Sequence, residues 1–191
     1  MCGITGIYHS QEKVDPKWIK HMTDLLRHRG PDDEGYLFFN PAGQTIEERS
    51  GDDTAKELKY QMNSIEEPIS PYPAAFGHRR LSIIELSYLG HMPMSDSTGN
   101  YWIIYNGEIF NYIELREELK QLGYQFKTNS DTEAILASYA IWGTDCVKRF
   151  NGDWAFCIYD RIKNILFASR DRFGVRFFYY FWDGKIFAFA S

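Results

Sequence analysis

Cysteine is scarce in this sequence, and long apolar runs and basic clusters are lacking; each shortage excludes a class of protein. The three cysteines, Cys2, Cys146 and Cys157, are odd in number and irregular in spacing, so they indicate neither a disulfide framework nor a metal site. No apolar run approaches the roughly 18 residues of a membrane-spanning helix. The net charge is −5, without a basic stripe, which argues against binding to nucleic acid.

The first residues also lack the pattern of a secretory leader. The segment MCGITG has no positively charged region followed by an apolar stretch. This bears on Cys2, because a lipidated cysteine near a bacterial N-terminus is expected only behind such a leader. We therefore predict a cytoplasmic protein whose cysteines remain reduced.

The composition that remains is typical of one globular domain. A chain of 191 residues is long enough for a single core. Aromatic residues make up 17% of it, which favours a core of large flat side chains such as a sandwich encloses. We find no internal repeat and no low-complexity tract.

Hydrophobic periodicity predicts strands toward both ends of the chain and helices in its middle, which is an α+β layered arrangement. Residues 36–76, polar in the middle and closed by prolines, are interpreted mostly as a long excursion from the body of the domain. The predicted elements are a strand at 4–8, helices opening at Pro16, at Tyr112 and after Ser130, and strands at 101–105, 154–159, 165–169, 178–182 and 186–190.

Cys2 is the first candidate for chemistry. Removal of Met1 would give Cys2 a free α-amine, whose pKa of roughly 7.7–8.0 suits a general base at neutral pH. Such an amine can activate the thiol of its own residue, so no separate histidine is required. Gly3 would let a substrate approach the backbone closely.

Asn106 and Gly107 are the second candidate. A side-chain amide beside a glycine N–H can direct two donors at one developing oxyanion. The alternative is a plain strand-ending turn, because Asn-Gly is a frequent hairpin dipeptide. The dipeptide alone favours the turn.

Arg80 and Asp131 complete the set of candidates. An arginine fork binds a carboxylate through two hydrogen bonds, although a surface ion pair is the alternative. Asp131 can hold an α-ammonium group, or it can simply interact with the dipole of the helix that it opens. Together with Cys2 and Asn106, these residues are the parts needed to hydrolyse the amide of an amino acid.

The chain closely resembles the N-terminal glutaminase domain of glutamine-dependent asparagine synthetases, a class II amidotransferase domain of the N-terminal-nucleophile hydrolases. Seven stretches carry the resemblance, in family order across nearly the whole chain. They are Met1–Tyr8 (MCGITGIY), His28–Gly35 (HRGPDDEG), Gly77–Ile84 (GHRRLSII), Tyr105–Tyr112 (YNGEIFNY), Ser130–Ala134 (SDTEA), Phe150–Phe156 (FNGDWAF) and Ser169–Val175 (SRDRFGV).

The resemblance implies a four-layered αββα fold and hydrolysis of L-glutamine to glutamate and ammonia. It assigns the nucleophile to Cys2 and the oxyanion hole to Asn106 and Gly107. Substrate binding falls to the remaining residues: Arg80 for the carboxylate, Glu108 and Asp131 for the amino group, and the backbone of Leu81, Ser82, Ile83 and Ile84 for the pocket wall. Residues 28–32 would form a structural loop near the site.

The resemblance also implies partners outside this domain. It needs no metal or cofactor for the glutaminase step, and it predicts a C-terminal synthetase domain, or a partner subunit, that uses ATP and Mg²⁺ to amidate aspartate. We expect the native product to extend past Ser191, and a homodimer is compatible with the sequence.

Three departures from the family pattern indicate a divergent branch: the length of residues 36–76, Met92 in place of the usual Gln, and Phe177 in place of the usual Pro. We expect none of them to touch the chemistry. They leave open a nitrogen acceptor different from aspartate. The sequence is also compatible with a catalytically silent glutamine-binding domain and with a general N-terminal-nucleophile amidase.

Overall fold

The computed structural model describes residues 1–42 and 44–191. The described residues form two antiparallel sheets, one of six strands and one of four. The strands are β1 Gly3–His9, β2 Asp33–Asn40, β3 Thr45–Arg49, β4 Ala74–Arg80, β5 Met94–Ser95, β6 Tyr101–Ile109, β7 Gly152–Asp160, β8 Ile165–Arg170, β9 Tyr179–Trp182 and β10 Ile186–Ala190; the helices are α1 Pro16–Asp24, α2 Lys56–Lys59, α3 Tyr112–Gln121 and α4 Asp131–Trp142.

The two sheets pack face to face between layers of helix. The strand orders are β3-β2-β4-β1-β10-β9 and β5-β6-β7-β8. Helix α1 covers the outer face of the first sheet, and α3 and α4 cover the outer face of the second. Phe39 and Tyr159 stack across the interface between the sheets, with ring centroids 4.3 Å apart. The expected αββα layering is confirmed.

Strand β6 shows why the second sheet lies between two layers. Trp102 and Ile104 contribute to the core between the sheets, whereas Ile103 and Tyr105 pack beneath the helices. Successive side chains of a strand point to opposite faces, so a strand that is apolar at consecutive positions is buried on both. The same alternation runs along β7.

The predicted excursion at 36–76 is too long. Residues 36–40 belong to β2 and residues 74–76 to β4, both in the interior of the six-stranded sheet. Phe38 and Phe39 are fully buried, so the run that contains them is a strand buried on both faces. The segment between β3 and β4, residues 50–73, leaves the sheet.

The turn interpretation of Asn106 and Gly107 is also wrong. Both residues lie inside β6, where Asn106 pairs with Ala155 and Gly107 with Trp154. A Cβ atom on Gly107 would lie 2.2 Å from the carbonyl oxygen of Asp153, so close strand pairing demands glycine here. Gly107 is therefore required for the pairing of β6 with β7 and is not part of a hairpin turn.

Helix α4 begins directly after Ser130, as predicted, with one of the two hydrogen bonds of a capping box. The hydroxyl of Ser130 accepts a hydrogen bond from the N–H of Glu133 at 3.2 Å. The carboxylate of Glu133 does not return to Ser130, because it accepts from the N–H groups of Lys127 and Thr128. The cap places Asp131 as the first helical residue, beside the end of β6.

Candidate active site

One pocket gathers nearly every residue that the sequence singled out. It has a volume of about 180 Å³ and lies where β1, β4 and β6 meet the start of α4. Nine of the ten predicted site residues line it: Cys2, Arg80, Leu81, Ile83, Ile84, Asn106, Gly107, Glu108 and Asp131. Ser82 does not line the pocket; its N–H donates to Oδ2 of Asp32 at 2.8 Å.

Cys2 stands just before β1 and faces the end of β4. Gly3 pairs with Arg79 in the ladder, which brings the thiol to Leu81. The N–H of Leu81 donates to Sγ at 3.4 Å, and Nε of Arg29 donates to the carbonyl of Cys2 at 3.1 Å. Burial raises the pKa of the Cys2 thiol, although the Leu81 N–H and the N-terminal ammonium group of Met1 oppose that shift. Arg29 confirms that the 28–32 loop lies beside the site.

Asn106 presents an unused donor to the pocket. The side chain is only 1% exposed, and Nδ2 has no hydrogen-bond partner within the described part of the chain. A buried amide donor without a partner costs on the order of 1–3 kcal/mol, so Nδ2 of Asn106 is available to a ligand, a water molecule or a reacting group in the pocket.

The guanidinium group of Arg80 already donates hydrogen bonds to two backbone carbonyls. Its Nη1 donates to the carbonyl of Ser87 at 2.8 Å, and Nη2 donates to the carbonyl of Glu85. The guanidinium still lines the pocket while only 6% of the residue is exposed. Arg80 therefore fastens the loop of residues 81–92, which forms one wall of the pocket, as well as supplying positive charge.

Asp131 lies both at the start of a helix and on the pocket wall, so its position is compatible with both of the alternative roles. It opens α4, and its Oδ2 accepts hydrogen bonds from Oη of Tyr105 at 2.9 Å and from the N–H of Ile109 at 3.1 Å. Burial raises the pKa of this carboxyl group, and those hydrogen bonds oppose the shift. A carboxylate fixed in this way, on a pocket wall, is suited to an ammonium group that replaces its lost hydration.

The pocket also contains residues that the sequence analysis did not assign to it, among them Met92, Tyr105 and Arg176. Met92 was not expected to touch the chemistry, and it nevertheless lines the pocket. Tyr105 was assigned only to a strand, yet its hydroxyl orients Asp131. Arg176 lines the pocket and donates through Nε to Oδ1 of Asp153 at 2.8 Å. Its position directly after the SRDRFGV stretch was the available signal.

The described residues contain neither a metal-binding cluster of side chains nor a membrane-spanning helix. Within residues 1–42 and 44–191, no group of three or more His, Cys, Asp or Glu side chains is arranged to hold a metal. No helix in the same part of the chain is both long and apolar enough to cross a bilayer.

Comparison with known sequences identifies close relatives. A family model described as a glutamine amidotransferase domain matches residues 1–49 and 66–191. A putative glutamine-hydrolysing asparagine synthetase from Methanocaldococcus jannaschii is 38% identical over the whole chain, which spans 34% of that relative. Asparagine synthetase 1 of Bacillus subtilis is 36% identical over 94% of the chain, which spans 24% of that protein. The chain thus spans a quarter to a third of these relatives.

Comparison with solved structures identifies the fold. The glutamine phosphoribosylpyrophosphate amidotransferase of Bacillus subtilis matches 99% of the chain with a TM-score of 0.77, and the chain covers 41% of that structure. The sequences are 21% identical. At that identity the likeness establishes a shared fold and no more.

Proposed function

The chain belongs to the glutamine amidotransferase domain family, and from this premise we propose that its pocket hydrolyses the side-chain amide of L-glutamine to glutamate and ammonia, with Cys2 as the nucleophile. The observation that carries the proposal is the unpartnered amide donor of Asn106, which no described residue satisfies, in the same pocket as the Cys2 thiol. A thiol nucleophile and an unoccupied buried donor are what acyl transfer requires.

The chemistry proceeds through a thioester. After loss of Met1, the α-amine of Cys2 accepts the thiol proton as sulfur bonds to the amide carbon of glutamine. The resulting oxyanion accepts hydrogen bonds from Nδ2 of Asn106 and the N–H of Gly107. Its collapse breaks the C–N bond, and the ammonium form of the α-amine returns its proton to the departing amide nitrogen, which leaves as ammonia. Water then cleaves the thioester to release glutamate and restore the thiol.

The charged groups around the pocket match the other end of glutamine. Arg80 supplies the positive charge for the α-carboxylate, and Glu108 and Asp131 supply negative charge for the α-ammonium group. These pairs are charge-assisted and largely shielded from water, so they distinguish an amino acid from a simple amide. That distinction favours glutamine hydrolysis over a general amidase activity.

Replacement of Arg80 by lysine is expected to raise KM for glutamine by roughly 10- to 100-fold, the effect of losing hydrogen bonds to a charged group. Lysine keeps the charge but lacks the planar fork, and it cannot hold both loop carbonyls. Steady-state kinetics on Arg80→Lys measures the effect. Arg149→Lys, at an exposed site outside the pocket, is the matched control. Equal KM values for Arg80→Lys and the wild type would remove Arg80 from substrate binding.

For the whole protein, the ammonia released here requires an acceptor. Because the chain spans only part of its relatives, we propose that a synthetase domain or partner subunit uses ATP and Mg²⁺ to activate a carboxylate, with aspartate as the first acceptor to test. The test is to incubate the full-length gene product with glutamine, ATP, Mg²⁺ and aspartate. Formation of asparagine supports the assignment, whereas glutamate without asparagine would overturn aspartate as the acceptor and leave the glutaminase intact.

A further inference from the structure

Residues 50–65, which we call the insertion, are the one internal segment that the family match leaves out. The insertion begins and ends at one place, because Ser50 forms a bridge with Ser64. The N–H of Ser50 donates to the carbonyl of Asn63 at 3.0 Å, and the N–H of Ile65 donates to the carbonyl of Ser50 at 2.8 Å. It is therefore a loop closed at its base, outside the residues that the family model matches.

Three consecutive residues of the insertion bind the beginning of β2. The N–H of Asp53 donates to Oε1 of Glu34 at 2.8 Å, and the hydroxyl of Thr54 donates to the carbonyl of Glu34 at 2.7 Å. The N–H of Ala55 donates to Oδ1 of Asp33 at 2.9 Å. Glu34 and Asp33 are each only 2% exposed, so these contacts are largely shielded from solvent.

The carboxylate of Asp53 also accepts hydrogen bonds from two arginines. Nη1 of Arg79 donates to Oδ2 at 2.7 Å, and Nη2 of Arg27 donates to Oδ1 at 2.7 Å. Arg79 is buried and forms a further ion pair with Glu34 at 2.8 Å. Nη2 of Arg79 also donates to Oδ1 of Asp24 at 2.9 Å. The insertion thus supplies one of the three carboxylates that hold this buried side chain, which directly precedes Arg80 in the sequence.

The same partners connect the insertion to the pocket wall. Asp33 pairs with Arg80 in the ladder between β2 and β4. The second oxygen of Asp33 lies 2.7 Å from Nδ1 of His91, which stands between the pocket residues Gly90 and Met92. Asp33 therefore links the insertion on one side to the 81–92 loop on the other.

We propose that the insertion braces the substrate-binding wall of the pocket, with Asp53 as a positioning residue that sets the placement of Arg80 and of the 81–92 loop. Asp53 acts through Arg79, whereas the N–H of Ala55 acts through Asp33; neither Asp53 nor Ala55 lines the pocket. The inference rests on the proposed function for its kinetic consequence, namely that the brace controls glutamine affinity and not the chemical step.

Asp53→Asn keeps the shape of the side chain and removes its charge. In the wild type Oδ2 binds Arg79 and Oδ1 binds Arg27, whereas asparagine keeps only one acceptor oxygen. We expect KM for glutamine to rise by about tenfold, the effect of losing one hydrogen bond to a charged group, with kcat changed by less than about twofold. Asp52→Asn is the matched control, because Asp52 is the exposed neighbour. A merely structural role would lower the melting temperature and leave KM unchanged, and that result would overturn the proposal.

A second variant tests the other contact. Ala55→Pro deletes the N–H that binds Asp33, and the φ of −49° at Ala55 suits proline. We expect the same rise in KM. Amide hydrogen exchange supplies a readout that needs no activity: peptides from residues 81–92 should exchange faster in Asp53→Asn and Ala55→Pro than in the wild type and Asp52→Asn. Equal exchange in all four proteins would overturn the proposed brace. Faster exchange in Asp53→Asn and Ala55→Pro, together with no glutamine hydrolysis by the wild type, would overturn only the proposed function.

Discussion

Asn106→Ala is expected to lower kcat for glutamine hydrolysis by roughly 10²–10³-fold, the loss that follows removal of one oxyanion-hole donor. The donor acts on the charge that develops as the thiol attacks, so KM should change much less than kcat. In the resting protein Nδ2 of Asn106 bonds to none of the described residues. Its loss therefore removes no hydrogen bond that stabilises the fold.

The control for this variant is Asn100→Ala. Asn100 directly precedes the same strand but lies outside the pocket. Both variants should retain their melting temperatures within a few degrees of the wild type, and only Asn106→Ala should lose activity. If Asn106→Ala kept its kcat and merely unfolded more easily, the residue would be a structural part of β6.

Retention of Met1 is expected to lower activity by roughly 10²–10⁴-fold, the typical contribution of a general base. A peptide bond to Met1 converts the nitrogen of Cys2 into an amide, which has no basicity at neutral pH. Met1 also lines the pocket, where it takes up space beside the thiol. The two effects act in the same direction.

Two preparations of the wild-type chain, one processed and one retaining Met1, measure this effect once intact mass has established each N-terminus. In the Met1 form, burial holds the thiol pKa above its ordinary value. The thiol is therefore protonated at neutral pH, and its alkylation by iodoacetamide should accelerate only as the pH rises above the usual cysteine range. Full glutaminase activity in a sample that retains Met1 would refute the self-base mechanism.

Local patterns in the sequence predicted most of the fold. Proline at the first position of α1 and Ser130 directly before α4 are both signals that act within a few residues. In the four-stranded sheet, β7, β8 and the first half of β6 were predictable because their aromatic and β-branched runs are bounded by turn residues. The two-residue strand β5 was not predicted. Grouping the site residues required the family resemblance, since they come from distant parts of the chain.

What escaped prediction depends on tertiary contacts. The run at 36–39 is apolar at every position, and such a run is ambiguous until two layers are known to cover it. The loop hydrogen bonds of Arg80 and the position of Met92 in the pocket wall arise from how the 81–92 loop folds back. The hydrophobic periodicity of a sequence does not indicate how a loop folds back onto the rest of the protein. The contacts of Asp53 with Arg79 likewise join residues 26 positions apart.

The most direct test of the central claim is glutamate and ammonia release from L-glutamine by wild-type protein and by Cys2→Ala, with both N-termini confirmed by intact mass. We predict equal amounts of glutamate and ammonia from the wild type and none above background from Cys2→Ala. Equal glutamate release by the two proteins would contradict Cys2 as the nucleophile. No release from processed wild-type protein would contradict the glutaminase assignment itself and favour a silent glutamine-binding domain.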